Sequence, residues 1–286
     1  MRVNNKNNTE FIELESNIID LRNQSNHPSS FLYSEIYECA ILDASIKDGR
    51  IQPGFNLKDS VPFVVAAKNG IEYGIEKEGF RDKIYDTLLL YYNNFQPKNA
   101  AEFLGLSLEL ENELVQAPPW GSVFPWRART LDSYKKTYEK AAISDNKSYG
   151  YGGGVEKGWT FCGPTSAEKC SIEAKRMEYV IKRIHIDGYQ RSNDKDGDIK
   201  VTALVNENKD WRWLVTSGFH RVCAVTALGY ESIPVRVNLV ISRQDVDFWP
   251  HVSSGLYSRE NALTIFDNFF YGLPPIKAKL WNEGSI

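Results

Sequence analysis

Apolar and polar residues along 80–95, FRDKIYDTLLLYYNNF, recur at helical spacing and predict a helix. The same period predicts helices over 100–104, stopped by Gly105, over 131–147, and over 166–186, ending at Gly188. Thr165 and Glu168 fit the capping box at the start of the last of these. The period changes to two at 199–205, IKVTALV, and at 211–217, WRWLVTS. These alternating β-branched runs, separated by the polar NENKD, predict two strands. Gly218 breaks the second run; FHRVCAVTAL then has helical spacing, Gly229 sits where a helix-ending glycine belongs, and SIPVRVNLVI predicts a further strand. Near the N-terminus, Asn69-Gly70 between VPFVVAAK and IEYGI predicts a hairpin turn. A last helix is expected at 258–270, capped by Ser258, its aromatic stripe serving packing.

These elements give an α+β fold class. The Pro- and Trp-rich stretch 117–126 reads as a boundary, which divides the chain into an N-terminal α+β region (1–116), a main domain (117–245) and a C-terminal helical extension (246–286). Residues 1–116 are read either as a substrate domain or as an elaboration of the same sheet.

Composition changes this picture little. Apolar residues make up 42% and charged residues 25%, ordinary for a globular chain with a real core. A net charge of −3 argues against a global basic field that would draw the protein onto nucleic acid or an anionic membrane. No run of about 18 apolar residues predicts a membrane span, and the polar MRVNNKNNTE lacks the apolar core of a signal peptide. Four cysteines without a CxxC pair suggest neither a disulfide framework nor a zinc site, and a cytoplasmic setting is the simplest expectation.

Three apparent motifs fail on spacing. The glycine-rich segment 148–164 matches neither the Walker A nor the dinucleotide pattern and reads as a surface loop or a lid. SNDKDGD (192–198) has its glycine misplaced for an EF-hand, and Val205 stands where the twelfth-position Glu belongs, so it reads as a solvated turn. NAAEFLGLS is followed by the acidic LELENEL rather than a basic recognition helix.

The segment with specific chemistry is Ser217-Gly218-Phe219-His220-Arg221. A strand runs into a glycine whose missing Cβ lets a ligand approach the backbone. The following helix start offers free N–H groups and the positive end of its dipole, an anion site. Arg221 opposes that dipole unless an anion joins it, and it is suited to bidentate phosphate contact. His220 can donate a hydrogen bond or exchange a proton near neutral pH. The structural alternative is that His220 and Arg221 tie down neighbouring loops.

IKRIHIDGYQ, IKVTALV, WRWLVTSGFHR, RVCAVTALGY and ESIPVRV together resemble the ParB/sulfiredoxin fold family. Gly218, His220, Arg221, Ala224, Gly229, Ile233, Pro234 and Val235 fill its turn-helix-strand pattern in order, over about Glu173 to Val240. The resemblance implies nucleotide phosphates at the glycine turn, held by Ser217, Gly218, Phe219, His220 and Arg221, with Gly188 and Gln190 near the base or ribose. It implies ATP, or CTP, with Mg²⁺. Phe219 stands where sulfiredoxins carry a Cys and ParB proteins an acid, and Ser217 where free-serine kinases of the fold carry an Asp. The expectation is an ATP-dependent phosphotransferase acting on a small metabolite, with His220, Glu173 and Glu178 as catalytic candidates and Glu168 and Asp187 as further carboxylates that could hold the acceptor hydroxyl. The alternatives are a nucleotide-dependent DNA-binding protein or nuclease, pointed to by Lys175, Arg176, Lys182 and Arg183 on one helix, and a non-catalytic sensor of nucleotide or sugar phosphate. His251 is a further residue that could line the pocket.

Overall fold

A computed structural model describes residues 17–59, 61–191 and 197–283. The two alternating runs form antiparallel strands, Lys200–Val205 and Trp211–Ser217, called β5 and β6 below because four short strands precede them. Those four are β1 (Ile18–Asp20), β2 (Cys39–Ser45), β3 (Gly49–Ile51) and β4 (Phe55–Asn56). With β7 (Ser232–Ser242) they complete one seven-stranded mixed sheet in the order β1-β2-β7-β5-β6-β3-β4. β2 runs antiparallel to β7, opposing Ala40 with Val237 and Ser45 with Ser232. β3 runs parallel to β6, opposing Gly49 with Trp213. Strands from residues 17–59 therefore flank the β5–β6–β7 unit on both sides, and the described residues up to 116 elaborate its sheet.

Gly49 shows how tightly β3 and β6 meet. A Cβ there would stand 2.3 Å from Leu57 Cδ1 and 2.7 Å from the Trp213 ring, which is wholly buried. No larger side chain fits without displacing a core tryptophan.

Apart from three four-residue helices that no sequence pattern predicts, the helices follow the sequence with one exception. Phe80–Asn94, Ala100–Leu104, Leu131–Ser148, Ala167–Asp187, Phe219–Ala227 and Arg259–Tyr271 all form within a residue or so of expectation. The exception is Asn69-Gly70. Residues Pro62–Tyr73 form one helix running straight through that pair, not a hairpin. Pro62 sits at its N-terminus, where a proline is pre-organised for helix. Gly70 is the point at which it crosses the next helix: a Cβ there would meet Phe80 at 2.9 Å and Ile84 at 3.0 Å. The glycine allows close helix packing, and the Asn-Gly turn signal gives way to it.

Numbered in chain order, the helices are α1 (Pro62–Tyr73), α2 (Phe80–Asn94), α3 (Ala100–Leu104), α4 (Glu113–Gln116), α5 (Leu131–Ser148), α6 (Ala167–Asp187), α7 (Phe219–Ala227), α8 (Pro250–Ser253), α9 (Arg259–Tyr271) and α10 (Ile276–Lys279). α1, α2, α6 and α7 pack on one another, and α9 packs on β3 and β6. The α6 cap lies one residue later than expected: Ser166, not Thr165, accepts the N–H of Lys169, while Glu168 pairs with Lys157 at 3.7 Å. Ser258 caps α9 as expected, accepting from Asn261. No helix among the described residues is long and apolar enough to cross a membrane.

Candidate functional site

β6 ends at Ser217 and α7 starts at Phe219; Gly218 between them adopts φ 85°, ψ 25°. A Cβ on Gly218 would stand 3.0 Å from Ile199 Cγ1 and 3.2 Å from Ile199 Cα. Both the left-handed backbone and the close approach of the neighbouring chain require glycine here. Gly229, at φ 87°, has the first constraint without the second, since nothing lies within 4 Å of its would-be Cβ. Gly218→Ala is expected to cost about 1–2 kcal/mol from the backbone alone, and more than Gly229→Ala in urea denaturation. Equal losses would mean that the Ile199 contact contributes nothing.

The N-terminus of α7 carries no side-chain cap and no acid in its first turn. Its leading N–H groups and dipole therefore remain available to an anion. Successive residues of a helix point about 100° apart, so His220 and Arg221 face different surroundings. Arg221 turns back onto the preceding loop, where it donates to the carbonyls of Gly197 and Asp198. Those carbonyls offset the unfavourable placement of a cation beside the dipole. Asp198 is itself buried and anchored by Arg191 at 2.8 Å and Arg236 at 2.7 Å. Burial raises its carboxyl pKa, but the two guanidinium groups outweigh that and lower it. The loop-tying role is thus present for Arg221.

His220 meets the other side of the site. Its Nε2 lies 2.5 Å from Glu173 Oε2. Glu173 is wholly buried, and its second oxygen accepts from Thr160 Oγ1 at 3.1 Å and lies 2.6 Å from the buried Lys169 Nζ. Burial pushes the Glu173 carboxyl up, but the His220 ring nitrogen and the Lys169 ammonium beside it, aided by Arg176, outweigh that and hold the group well below the usual carboxylate range. A charge with three polar partners is the condition under which burial is tolerated. Arg176, 3.9 Å from Glu173, also makes a bidentate pair with Asp145 at 2.9 and 3.1 Å.

Two clefts meet at the turn. One of about 360 Å³ is lined by Ser217, Gly218, Phe219 and His220 from the turn, with Lys169 and Arg176 from α6 and Trp159 and Phe161 from the glycine-rich segment. The other, about 500 Å³, is lined by Arg221, Gly188, Gln190, Tyr179 and Arg183. The sequence grouped these residues into one nucleotide site; the structure brings Ser217–His220 together in one cleft and Gly188, Gln190 and Arg221 together in its neighbour. The aromatic wall of the first is held from α2, where Tyr92 donates to the Thr160 carbonyl at 3.1 Å and Tyr91 to that of Phe161.

The carboxylate candidates separate sharply. Glu173 belongs to the site but cannot touch a ligand, because both oxygens are engaged below the surface; it acts through His220. Glu178 lines neither cleft. It is held by Arg81 and Lys182 where α2 meets α6, and its pKa, raised by burial, is lowered overall by these two cations. Asp187 lines the second cleft, paired with Arg183 at 3.1 Å, and Glu168 lies elsewhere. His251 is buried against the Arg129 carbonyl at 2.8 Å in a separate cavity. The basic residues of α6 are paired with acids, Arg176 with Asp145 of α5, and Lys182 with Glu178 and Arg183 with Asp187 along α6 itself, while Lys175 lies over the Tyr149 ring. Residues 192–196, most of SNDKDGD, lie outside the described residues.

Lys169, Thr160 and Asp145 were missed in the sequence. A usable signal existed for the buried cluster. Cys170, Ala174, Met177, Ile181 and Ile184 form the buried stripe of α6, and Glu173 falls within it, four residues from Lys169. A charged pair inside an apolar stripe marks a polar cluster facing inwards.

The donor set fits a phosphate and does not fit a protein-held divalent cation. Among the described residues no group of three or more His, Cys, Asp or Glu side chains is arranged to hold a metal. In the first cleft Asp145 is committed to Arg176, and Glu173 is buried. A scan of family models and searches of curated proteins and solved structures find no match to this chain.

Proposed function

We propose that this chain binds the phosphates of a nucleotide at the Gly218 turn and uses the site for phosphoryl transfer to a small metabolite. The observation that carries the reading is the uncapped start of α7 opening into the cleft that Lys169 and Arg176 also line. The α7 N–H groups and dipole and two cations, each already paired with a carboxylate, line one space, a donor set of the kind that phosphate recognition uses. Trp159, Phe161 and Phe219 supply apolar ring surface beside it. The ParB/sulfiredoxin resemblance points to the same turn.

His220 is the group suited to move a proton. Glu173 occupies its Nε2, which fixes the ring and leaves Nδ1 for an acceptor hydroxyl. Mg²⁺ ordinarily neutralises the charge between β- and γ-phosphates. Among the described residues no carboxylate set is arranged to hold it. A DNA-binding reading is disfavoured by the acids interleaved along α6.

Calorimetry with ATP, ADP and CTP tests the binding. Arg176→Ala is expected to weaken the preferred nucleotide about tenfold, or roughly 1.4 kcal/mol. Absence of binding by all three to the wild-type protein would overturn the reading. Binding without consumption of ATP across a metabolite panel would reduce it to a sensor.

A further inference from the structure

Beside the phosphate cleft lies a smaller one of about 240 Å³, lined by Asn146 of α5, Tyr151, Gly152 and Lys157 of the glycine-rich segment, and Lys169 and Ile172 of α6. Lys169 lines both clefts. Its size falls below the roughly 300 Å³ at which drug-sized ligand pockets begin, so it suits a small molecule.

Two of its polar groups have unmet hydrogen-bonding capacity. Asn146 is 1% exposed. Its Nδ2 donates to the carbonyls of Gly153 at 3.1 Å and Gly154 at 3.5 Å, which fixes the orientation of the amide, because a flip would set oxygen against oxygen. Its Oδ1 is then a buried acceptor with no donor among the described residues. Lys169 is 2% exposed, and its three-donor ammonium meets Glu173 Oε1 as its acceptor among the described residues. Buried polar groups ordinarily find partners. A ligand here has to offer a donor to Asn146 and an acceptor to Lys169.

Charge narrows the class. A carboxylate would satisfy Lys169 but offers Asn146 no donor, and a carboxylate or phosphate faces the like charge of Glu168 on the cleft wall. An ammonium would satisfy Asn146 but oppose Lys169 and Lys157. Hydroxyl groups donate and accept without charge, and neighbouring hydroxyls on one molecule meet both demands. The Tyr151 ring and Ile172 supply apolar wall for its carbon skeleton.

We infer that this cleft binds an uncharged polyol or small sugar, with hydroxyls held by Asn146 Oδ1 and Lys169 Nζ. Its role as acceptor rests on the phosphotransferase reading; its binding does not. In transfer, the ligand oxygen would bond to the terminal phosphorus of a nucleoside triphosphate. The bridging P–O bond would break to release the diphosphate, and the hydroxyl proton would pass to His220.

The test uses ribitol and D-ribose as probes, titrated into the wild-type protein while amide shifts are followed by NMR, with ADP titrated separately. Perturbation by ribitol or ribose at Tyr151, Gly152 and Ile172, and weakening of that binding by about tenfold in Asn146→Leu with ADP affinity unchanged, supports the site. The wild-type shift map stands alone if Asn146→Leu does not fold. Failure of both probes at millimolar concentration in a protein that binds ADP overturns the polyol site and leaves the nucleotide reading intact. Polyol binding without ADP binding keeps the site and overturns the nucleotide reading instead. Tighter binding of glycerate or ethanolamine than of ribitol overturns the polyol assignment.

Discussion

Glu173→Gln is expected to destabilise the protein by about 3–5 kcal/mol in urea denaturation at neutral pH, the range for breaking a buried ion pair from one side. The substitution barely changes volume, so packing is conserved and the loss reports charge. It leaves the Lys169 ammonium 2% exposed with no counter-ion among the described residues, and the one carbonyl oxygen that glutamine keeps cannot serve both His220 on one side and Lys169 and Thr160 on the other. The pH dependence has a definite sign. The folded-state pKa of Glu173 is depressed, so its contribution is fully present above the unfolded value near 4.3 and drains away as pH falls towards the folded value. The wild type should therefore lose stability steeply below about pH 4.3, and Glu173→Gln should show a flatter acid limb. Replacing both partners, Lys169→Met with Glu173→Leu, is expected to recover much of the loss, because a dry apolar pair removes the stranded charge. A double variant no more stable than the single one would place the cost on His220 and Thr160 instead.

The same cluster shows what the sequence could and could not disclose. The helices at 80–94, 131–148 and 167–187 and the strands at 200–205 and 211–217 follow local periodicity, and they appear where it places them. The turn at Gly218 was legible because strand, glycine and helix follow one another within a few residues. The sheet order was not. Whether β2 would lie beside β7, and β3 beside β6, depends on contacts between segments more than 150 residues apart, which no local pattern encodes. Gly70 was misread for a related reason: its turn-like pairing with Asn69 is local, whereas its packing against Phe80 and Ile84 is tertiary. At the site, His220 and the Gly218 turn could be named, but Thr160 and Asp145 come from separate elements and meet Glu173 and Arg176 only in the folded chain. The division of the named residues between two clefts follows from the 100° step of a helix, which separates His220 from Arg221 once the helix is placed.

Gly163→Ala should cost about 3 kcal/mol, the upper part of the range for an overpacked site, although Gly163 touches neither cleft. A Cβ at this position would stand 1.8 Å from the carbonyl oxygen of Tyr92 and 2.8 Å from its carbon. The obstacle is backbone at the end of α2, not the tip of a flexible side chain, so relief requires moving a chain segment. The segment that must yield is the one that walls the phosphate cleft. Gly163 donates to the Phe95 carbonyl at 2.9 Å, and the stretch just before it is pinned to α2 by Tyr91 and Tyr92. Pushing it outward moves Phe161 away from Phe219 and pulls Thr160 off Glu173, whose Oε1 it reaches at 3.1 Å. Two readouts should therefore change together: unfolding free energy in urea, and nucleotide affinity by calorimetry under conditions where the variant is fully folded. A loss of stability with unchanged affinity would separate the wall from the ligand and restrict the phosphate site to the α7 turn, Lys169 and Arg176. Loss of both would show that α2, through two tyrosines and one glycine contact, sets the geometry of a cleft it does not line.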